Sequence, residues 1–74
     1  MKKAIYSPEH QYLVSQLKKA RIATGLDQTE AGKHLKRTQS YVSKVESGQR
    51  RIDITQLKEF AQLYKKKLSF FIKD

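Results

Sequence analysis

The chain has 74 residues, with 16 Lys and Arg against 7 Asp and Glu, a formal net charge of +9, and no cysteine. This length fits one small domain and excludes a second, while the lack of cysteine excludes disulfides and thiolate metal sites. The longest apolar runs have three residues, far fewer than the roughly 20 that cross a bilayer, and no signal peptide is expected. We therefore expect a soluble protein of a reducing cytoplasm. Both halves of the chain are basic, so the folded surface should attract a polyanion.

Capping patterns predict where the first two helices begin and end. Ser7 followed by Pro8 predicts the start of a first helix, and Gly25 predicts its end. Asp27 and Glu30 form a capping box, which predicts that a second helix begins at the residue after Asp27. The expected inward positions of these two helices are Leu13, Val14, Leu17, Ala20, Arg21, Ala31, Gly32 and Leu35.

A third and a fourth helix follow the same logic. The third is predicted from residue 39 to 46 or 47, with Thr38 as its cap and Gly48 after its end. Asp53 and Gln56 form a second capping box that opens the fourth helix, and an apolar stripe with helical period predicts four turns. The residues of this stripe are Ile54, Leu57, Phe60, Ala61, Tyr64 and Leu68.

A short fifth helix is predicted at the end of the chain, capped by Ser69 and holding residues 70–72. Three consecutive helical residues cannot all face the core, so at least one is expected to be exposed, where it could join the end of the fourth helix in a dimer patch. The sequence therefore predicts an all-α, compact five-helix bundle in one domain over residues 7–74. Residues 1–6 form an N-terminal arm that could lie against the bundle, add a short strand or trail free.

The third helix has one face without acidic side chains. At about 100° per residue, Val42 and Val45 face the core. The other side carries Gln39, Ser40, Tyr41, Ser43, Lys44 and Ser47. Glutamine can pair with adenine and lysine can donate to guanine, so this face suits base edges and phosphates. The alternative is a solvated face with no ligand, although such faces usually mix Glu with Lys.

Two short helices joined by a tight turn match the geometry of a helix-turn-helix, and here the sequence resembles the Xre/Cro-type repressors of the lambda-repressor-like fold. The resemblance extends roughly over residues 13–71 and rests on Arg21, GLDQTE at 25–30, SYVSKVESG at 40–48 and the apolar fourth helix. It implies a sequence-specific, double-stranded DNA-binding transcriptional repressor. It also implies that the third helix enters the major groove and that the protein binds palindromic sites as a homodimer.

The resemblance also implies which residues contact DNA. Gln28 corresponds to a glutamine that binds the phosphate backbone and often the first operator base pairs. Contacts to base edges or flanking phosphates are implied for Gln39, Ser40, Tyr41, Ser43 and Lys44. Backbone contacts beyond the third helix are implied for Ser47, Gln49, Arg50 and Arg51.

Arg21 and Glu46 match a partly buried pair that joins the first and third helices in this family. The helical wheel supports the pairing independently, because each charge lies on the inward stripe of its own helix and an unpaired buried charge would cost several kcal/mol. The alternative is that both side chains extend to water. The pair would hold the third helix at its docking angle.

The sequence departs from the family pattern at the turn between the second and third helices. Lys36 stands where the family favours glycine, so it must adopt a positive φ at a cost of about 1 kcal/mol, or the turn must be built differently. Ala31 and Gly32 stand where the family favours Leu and Ala, which leaves less apolar bulk. Lys65–Lys67 are expected in the last turn of the fourth helix, where cations complement the helix dipole.

Other chemistry has little support in the sequence. His10 and His34 are on separate helices with no acidic cluster near them, so neither a metal site nor a cofactor is expected. A core this small offers no evident catalytic pocket, and we expect no enzyme activity. One alternative function is an antitoxin or another module whose main partner is a protein, although few residues follow the last helix to wrap a toxin. Nonspecific RNA or nucleoid binding is another.

Overall fold

Four α-helices and a final 3-10 turn make up the computed structural model, which describes residues 7–73. The predicted arm, residues 1–6, lies outside the described residues. The elements in chain order are α1 (Pro8–Thr24), α2 (Gln28–His34), α3 (Gln39–Glu46), α4 (Ile54–Tyr64) and the 3-10 turn (Leu68–Phe71). The all-α prediction is confirmed, but the fifth element is a single 3-10 turn instead of an α-helix. Across the described part of the chain, no helix is long and apolar enough to span a membrane.

All four helices begin where their capping residues predict. The side-chain oxygens of Ser7, Asp27, Thr38 and Asp53 accept hydrogen bonds from the backbone N–H three residues further on, at 2.8 to 3.1 Å. Gly25 ends α1 with a φ of 84°. Because these signals are local in the sequence, each of them specifies one helix end without help from the rest of the fold.

The core lies where the inner faces of the four helices and the 3-10 turn meet. Its buried apolar residues are Leu17, Ala20, Ala31, Leu35, Tyr41, Val42, Val45, Leu57, Phe60, Ala61, Tyr64 and Phe71. Val42 and Val45 of α3 are 0% and 1% exposed. Burial of these two valines turns the opposite side of α3 outward.

The end of α4 differs from the prediction. The helix stops at Tyr64, and Lys65 adopts a left-handed conformation with a φ of 59°. The backbone N–H of Lys66 donates to the carbonyl of Ala61 at 2.9 Å, which closes the helix end. The three lysines therefore follow the helix instead of forming its last turn, and Leu68 belongs to the 3-10 turn.

Contacts of the chain end with α1 explain why the helix stops there. Gln16 donates from Nε2 to the carbonyl of Phe70 at 3.0 Å, and Phe71 is 1% exposed in the core. A longer α4 would carry these residues away from α1. Lys67, not Ser69, precedes the turn, and it makes no side-chain cap. Ile72 is 51% exposed, as expected for at least one residue of the apolar run.

The turn between α2 and α3 brings two backbones into close contact. A Cβ atom on Gly32 would lie 2.9 Å from the carbonyl oxygen of Thr38, so only glycine fits here without a shift. The N–H of Arg37 donates to the carbonyl of Gly32 at 2.8 Å. Lys36 has a φ of 58°, so the first of the two possibilities for this turn, a lysine with a positive φ, is the one found. The small residue in α2 therefore sets the position of the segment that leads into α3.

Candidate nucleic-acid interface

The outward face of α3 is polar and has no acidic side chain. Gln39, Ser40, Lys44 and the following Ser47 are exposed, and Ser43 is half-buried. The side chains of Ser40, Ser43 and Lys44 form no hydrogen bond or ion pair with the rest of residues 7–73. These groups are therefore available to an external ligand.

Tyr41 does not belong to this face, contrary to the prediction. Its side chain is buried, with 8% exposure, and its ring stacks on Phe60 of α4 with centroids 6.0 Å apart. The helical wheel places Tyr41 at the border between the two faces, and the large apolar ring turns inward because an aromatic partner lies there. Burial raises the pKa of the Tyr41 hydroxyl. Tyr41 cannot reach a base edge from this position.

The predicted pair between α1 and α3 is present. Arg21 Nε donates to Glu46 Oε2 at 2.7 Å and Arg21 Nη2 donates to Oε1 at 3.1 Å, with side-chain exposures of 10% and 4%. Arg21 Nη1 also donates to the carbonyl of Leu26 at 3.0 Å. Hydrogen bonding to Glu46 raises the pKa of Arg21. This geometry excludes the alternative in which both charges extend to water.

Two glutamines connect the buried pair to the exposed start of α3. Gln28 donates from Nε2 to Glu46 Oε1 at 3.1 Å, and Gln39 donates from Nε2 to Gln28 Oε1 at 2.7 Å. A carboxylate can only accept, so it requires the Nε2 of Gln28, and Gln28 in turn presents its oxygen to Gln39. The Oε1 of Gln39 and its second N–H remain unused. We call Gln28 and Gln39 the amide flank of α3.

Two arginines from the turn before α3 and the loop after it lie beside the other side of this helix. The Cζ atoms of Arg37 and Arg50 lie 5.5 Å and 5.1 Å from the centroid of the Tyr41 ring, within range of a cation–π interaction. Arg37 Nη2 also lies 3.6 Å from Glu59 Oε1. We call Arg37 and Arg50 the arginine flank. Gln39 and Tyr41 are about 160° apart around α3 at 3.6 residues per turn. Because both arginines lie over the Tyr41 ring, the arginine flank is on the side of α3 opposite Gln39.

The loop after α3 folds back against the helix end. Gly48 has a φ of 85°, and the backbone N–H groups of Gln49 and Arg50 then donate to the carbonyl of Lys44 at 3.0 and 3.1 Å. Gln49, Arg50 and Arg51 are exposed. The loop therefore places two exposed cations and an exposed amide directly after the end of α3 in the chain.

Neither the membership of Arg37 in this surface nor the link from Glu46 to Gln28 was predicted from the sequence. Arg37 lies in the turn, and its position depends on an aromatic ring that the sequence assigned to the wrong face. The link joins the first residues of α2 and α3 to the last residue of α3, and no local pattern indicates that these positions meet. The only sequence signal for this link is that both α2 and α3 begin with a glutamine, Gln28 and Gln39.

A short second helix set against a third helix with an unobstructed polar face defines a helix-turn-helix domain. The chain belongs to the helix-turn-helix domain family, whose model matches residues 13–65. The resemblance found in the sequence is thereby confirmed at the level of this family. No curated protein is a significant match by sequence.

Solved structures with this arrangement include a regulatory protein. The restriction-modification controller protein C.AhdI from Aeromonas hydrophila is 25% identical, with a TM-score of 0.75 over 81% of this chain and 87% of that one.

Other similar structures are parts of longer chains. Apo-HppE and the hydroxypropylphosphonic acid epoxidase from S. wedmorenis are each 20% identical, with a TM-score of 0.81 over 88% of this chain. The chain spans only 36% and 35% of their lengths. At this identity the likeness shows the fold alone.

Proposed function

We propose that the protein is a transcriptional regulator that binds specific double-stranded DNA sequences by inserting α3 into the major groove. The observation that carries the proposal is the outward face of α3, which is polar and free of acids and lies between two flanks able to bind DNA. The side chains of Ser40, Ser43 and Lys44 on this face have no hydrogen-bond or ion-pair partner among residues 7–73. The family and the likeness to a controller protein support the same conclusion. Its place of action would be the cytoplasm, with the DNA.

Base contacts would come from the middle of this surface. Gln39 has an unused oxygen and an unused N–H, which are the acceptor and the donor needed to pair with adenine in the major groove. Lys44 can donate to guanine. Ser40 and Ser43 are short and can bond to several bases. Because Glu46 orients the amide of Gln28, and through it that of Gln39, we expect the Gln39 contact to be the most selective.

Phosphate contacts would set position and affinity. The residues proposed for this role are Gln28, Ser47, Gln49, Arg50 and Arg51. If each half-site neutralises about three to five phosphates, the logarithm of affinity should fall with the logarithm of salt concentration by about 0.9 per phosphate. A salt-independent affinity would contradict this mechanism.

We further propose that the protein binds as a homodimer and represses transcription. One recognition helix contacts only a few base pairs, so two copies on a palindrome, about 34 Å apart between half-site centres, would supply the missing specificity. A dimer seated on a promoter would exclude polymerase by occupying the same DNA. Catalysis is not part of the proposal, because the epoxidase likeness is limited to the fold.

Selection of bound duplexes from a random pool tests this function. We expect an enriched palindrome with half-sites one helical turn apart. In a band-shift assay, two copies of the chain should bind each duplex, and random DNA should compete poorly for the protein. Ser40→Ala with Lys44→Ala should change the selected motif, whereas Lys18→Ala, an exposed change on α1, should leave it unchanged. Recovery of no motif would contradict sequence-specific binding, and a motif without symmetry would contradict the homodimer.

A further inference from the structure

Two arginines from separate segments meet at one buried ring. Arg37 lies in the turn before α3 and Arg50 in the loop after it, yet their Cζ atoms lie 5.5 Å and 5.1 Å from the Tyr41 centroid. The ring itself is 8% exposed and stacks on Phe60 at an interplanar angle of 10°. Tyr41 is therefore a buried platform under two side chains that are themselves exposed.

The charge at this platform is only partly balanced. Arg37 Nη2 lies 3.6 Å from Glu59 Oε1, with side-chain exposures of 37% and 43%. The buried pair of Arg21 and Glu46 is much shorter, at 2.7 Å. Strong charge-assisted hydrogen bonds measure about 2.7 to 2.9 Å, so the contact with Glu59 is weak. Arg50 has no acidic partner among residues 7–73, and the pair of arginines retains a spare positive charge.

The position of this charge indicates which anion it would take. The arginine flank lies over Tyr41, which is about 160° around α3 from Gln39 of the amide flank. A major groove about 12 Å wide has a phosphate backbone along each edge. A helix with Gln28 at one edge would therefore have Arg37 and Arg50 at the other, and guanidinium groups match the paired oxygens of a phosphodiester.

We propose that Arg37 and Arg50 together bind a backbone phosphodiester of duplex DNA, on the strand opposite the one contacted by Gln28, and that Tyr41 is a positioning residue that holds both guanidinium groups. This inference rests on the proposed function and adds Arg37 to its contacts. The phosphate replaces Glu59 as the partner of Arg37.

Salt-dependent binding of Arg37→Gln to two duplexes, the selected operator and a scrambled version, tests the phosphate contact. We expect affinity for both duplexes to fall by the same factor, about three- to tenfold near 0.1 M salt, and the log–log salt slope to fall by about 1. Lys66→Gln is the matched control, because Lys66 also rests on an aromatic ring, 4.9 Å from the Phe70 centroid, but lies beyond α4. A slope for Arg37→Gln equal to that of Lys66→Gln would overturn the phosphate contact.

Glu59→Gln gives the opposite change at the same site. Removal of the competing acid should raise the affinity for both duplexes by about two- to fivefold without a change in the preferred sequence. A loss of affinity would show that Glu59 orients Arg37 for DNA instead of competing with it, which contradicts the replacement step.

Two variants of Tyr41 test its positioning role. Tyr41→Phe keeps the ring and should preserve the upfield-shifted side-chain Nε–H resonances of Arg37 and Arg50 in the free protein, together with the salt slope. Tyr41→Leu should abolish both shifts and lower the slope, provided that its amide spectrum remains that of a folded domain. Unshifted arginine resonances in the wild type would overturn the role of Tyr41 as a platform. This outcome depends neither on DNA binding nor on whether Tyr41→Leu folds. Equal affinity of the wild type for operator and scrambled duplexes would instead contradict the proposed function. The arginine resonances would still test the platform, because they are measured in the free protein.

Discussion

The two flanks of α3 are built from different interactions. On the amide flank, neutral side chains are joined by hydrogen bonds of 2.7 and 3.1 Å to a carboxylate that is 4% exposed. On the arginine flank, two exposed cations rest on a ring, and their one acidic contact within residues 7–73 measures 3.6 Å. Hydrogen bonds determine which atom points where, whereas a cation over a ring keeps freedom to slide. One flank is suited to discriminate between bases and the other to attract phosphate.

Arg21→Ala breaks the amide flank at its base and should have the largest effect. It leaves Glu46 charged and buried without its partner, which costs about 3 to 5 kcal/mol, a large part of the roughly 5 to 10 kcal/mol expected for a domain of this size. Urea unfolding measures the loss. Retention of full stability would contradict a structural role for the pair.

The double variant Arg21→Met with Glu46→Met separates stability from recognition. Apolar replacement of a buried pair is often neutral for stability, so the free energy of unfolding should recover most of the loss. Gln28 would still lack its acceptor, and discrimination at the base pair contacted by Gln39 should fall. Recovery of both properties would show that Glu46 does not orient the glutamines.

Gln39→Ala breaks the same flank at its tip. We expect a loss of about 1 to 3 kcal/mol in binding, confined to one base-pair position, with the salt slope unchanged. Arg50→Gln should do the reverse and weaken all sequences alike with a smaller slope. Equilibrium binding to a set of single-base operator variants measures both. Similar profiles for the two variants would erase the distinction between the flanks.

Gly32→Ala tests the backbone that carries the arginine flank. The new Cβ would lie 2.9 Å from Thr38 O and 3.1 Å from Arg37 O, so the turn must shift. Overpacking typically costs about 1 to 3 kcal/mol, which exceeds the gain of up to about 1 kcal/mol in helix propensity. Gly25→Ala is the control, because nothing lies near its Cβ and only its positive φ is strained. Thermal unfolding should show the shift, and only Gly32→Ala should move the Arg37 resonances.

The smallest effect concerns the tyrosine hydroxyl beneath the amide flank. Burial and, to a lesser degree, the charge of Glu46 raise the pKa of Tyr64 above its ordinary value of 10.0. The unfolded chain then loses this proton before the folded protein does, so stability is fully present below about pH 10 and falls as pH rises further. Tyr64→Phe should therefore lose less stability than the wild type as the pH rises. Urea unfolding at about pH 8 and pH 11 measures the free energy of unfolding of both proteins. An equal loss in both proteins would contradict the raised pKa.

Features specified within a few residues could be predicted from the sequence. Every helix start follows from a cap, and the inward positions of Arg21 and Glu46 follow from helical period. Of the features that depend on which side chains meet across helices, the pairing of Arg21 with Glu46 could be predicted, because an unpaired buried charge is costly. Contacts without such a penalty could not be predicted. The end of α4 depends on contacts of Phe71 with the core, and the inward turn of Tyr41 depends on Phe60. Gln28, Gln39 and Arg50 were predicted as contact residues, but the contacts that join the members of each flank were not.

The three side chains on α3 without internal partners have a consequence for engineering. Ser40, Ser43 and Lys44 can be exchanged without the loss of an internal hydrogen bond or ion pair, so a combinatorial library at these positions would vary target preference over one intact scaffold. Gln39 cannot be exchanged in this way, because its replacement removes the hydrogen bond to Gln28, which in turn donates to the buried Glu46. New operators are therefore best sought by randomising the centre of the helix while its first residue is retained.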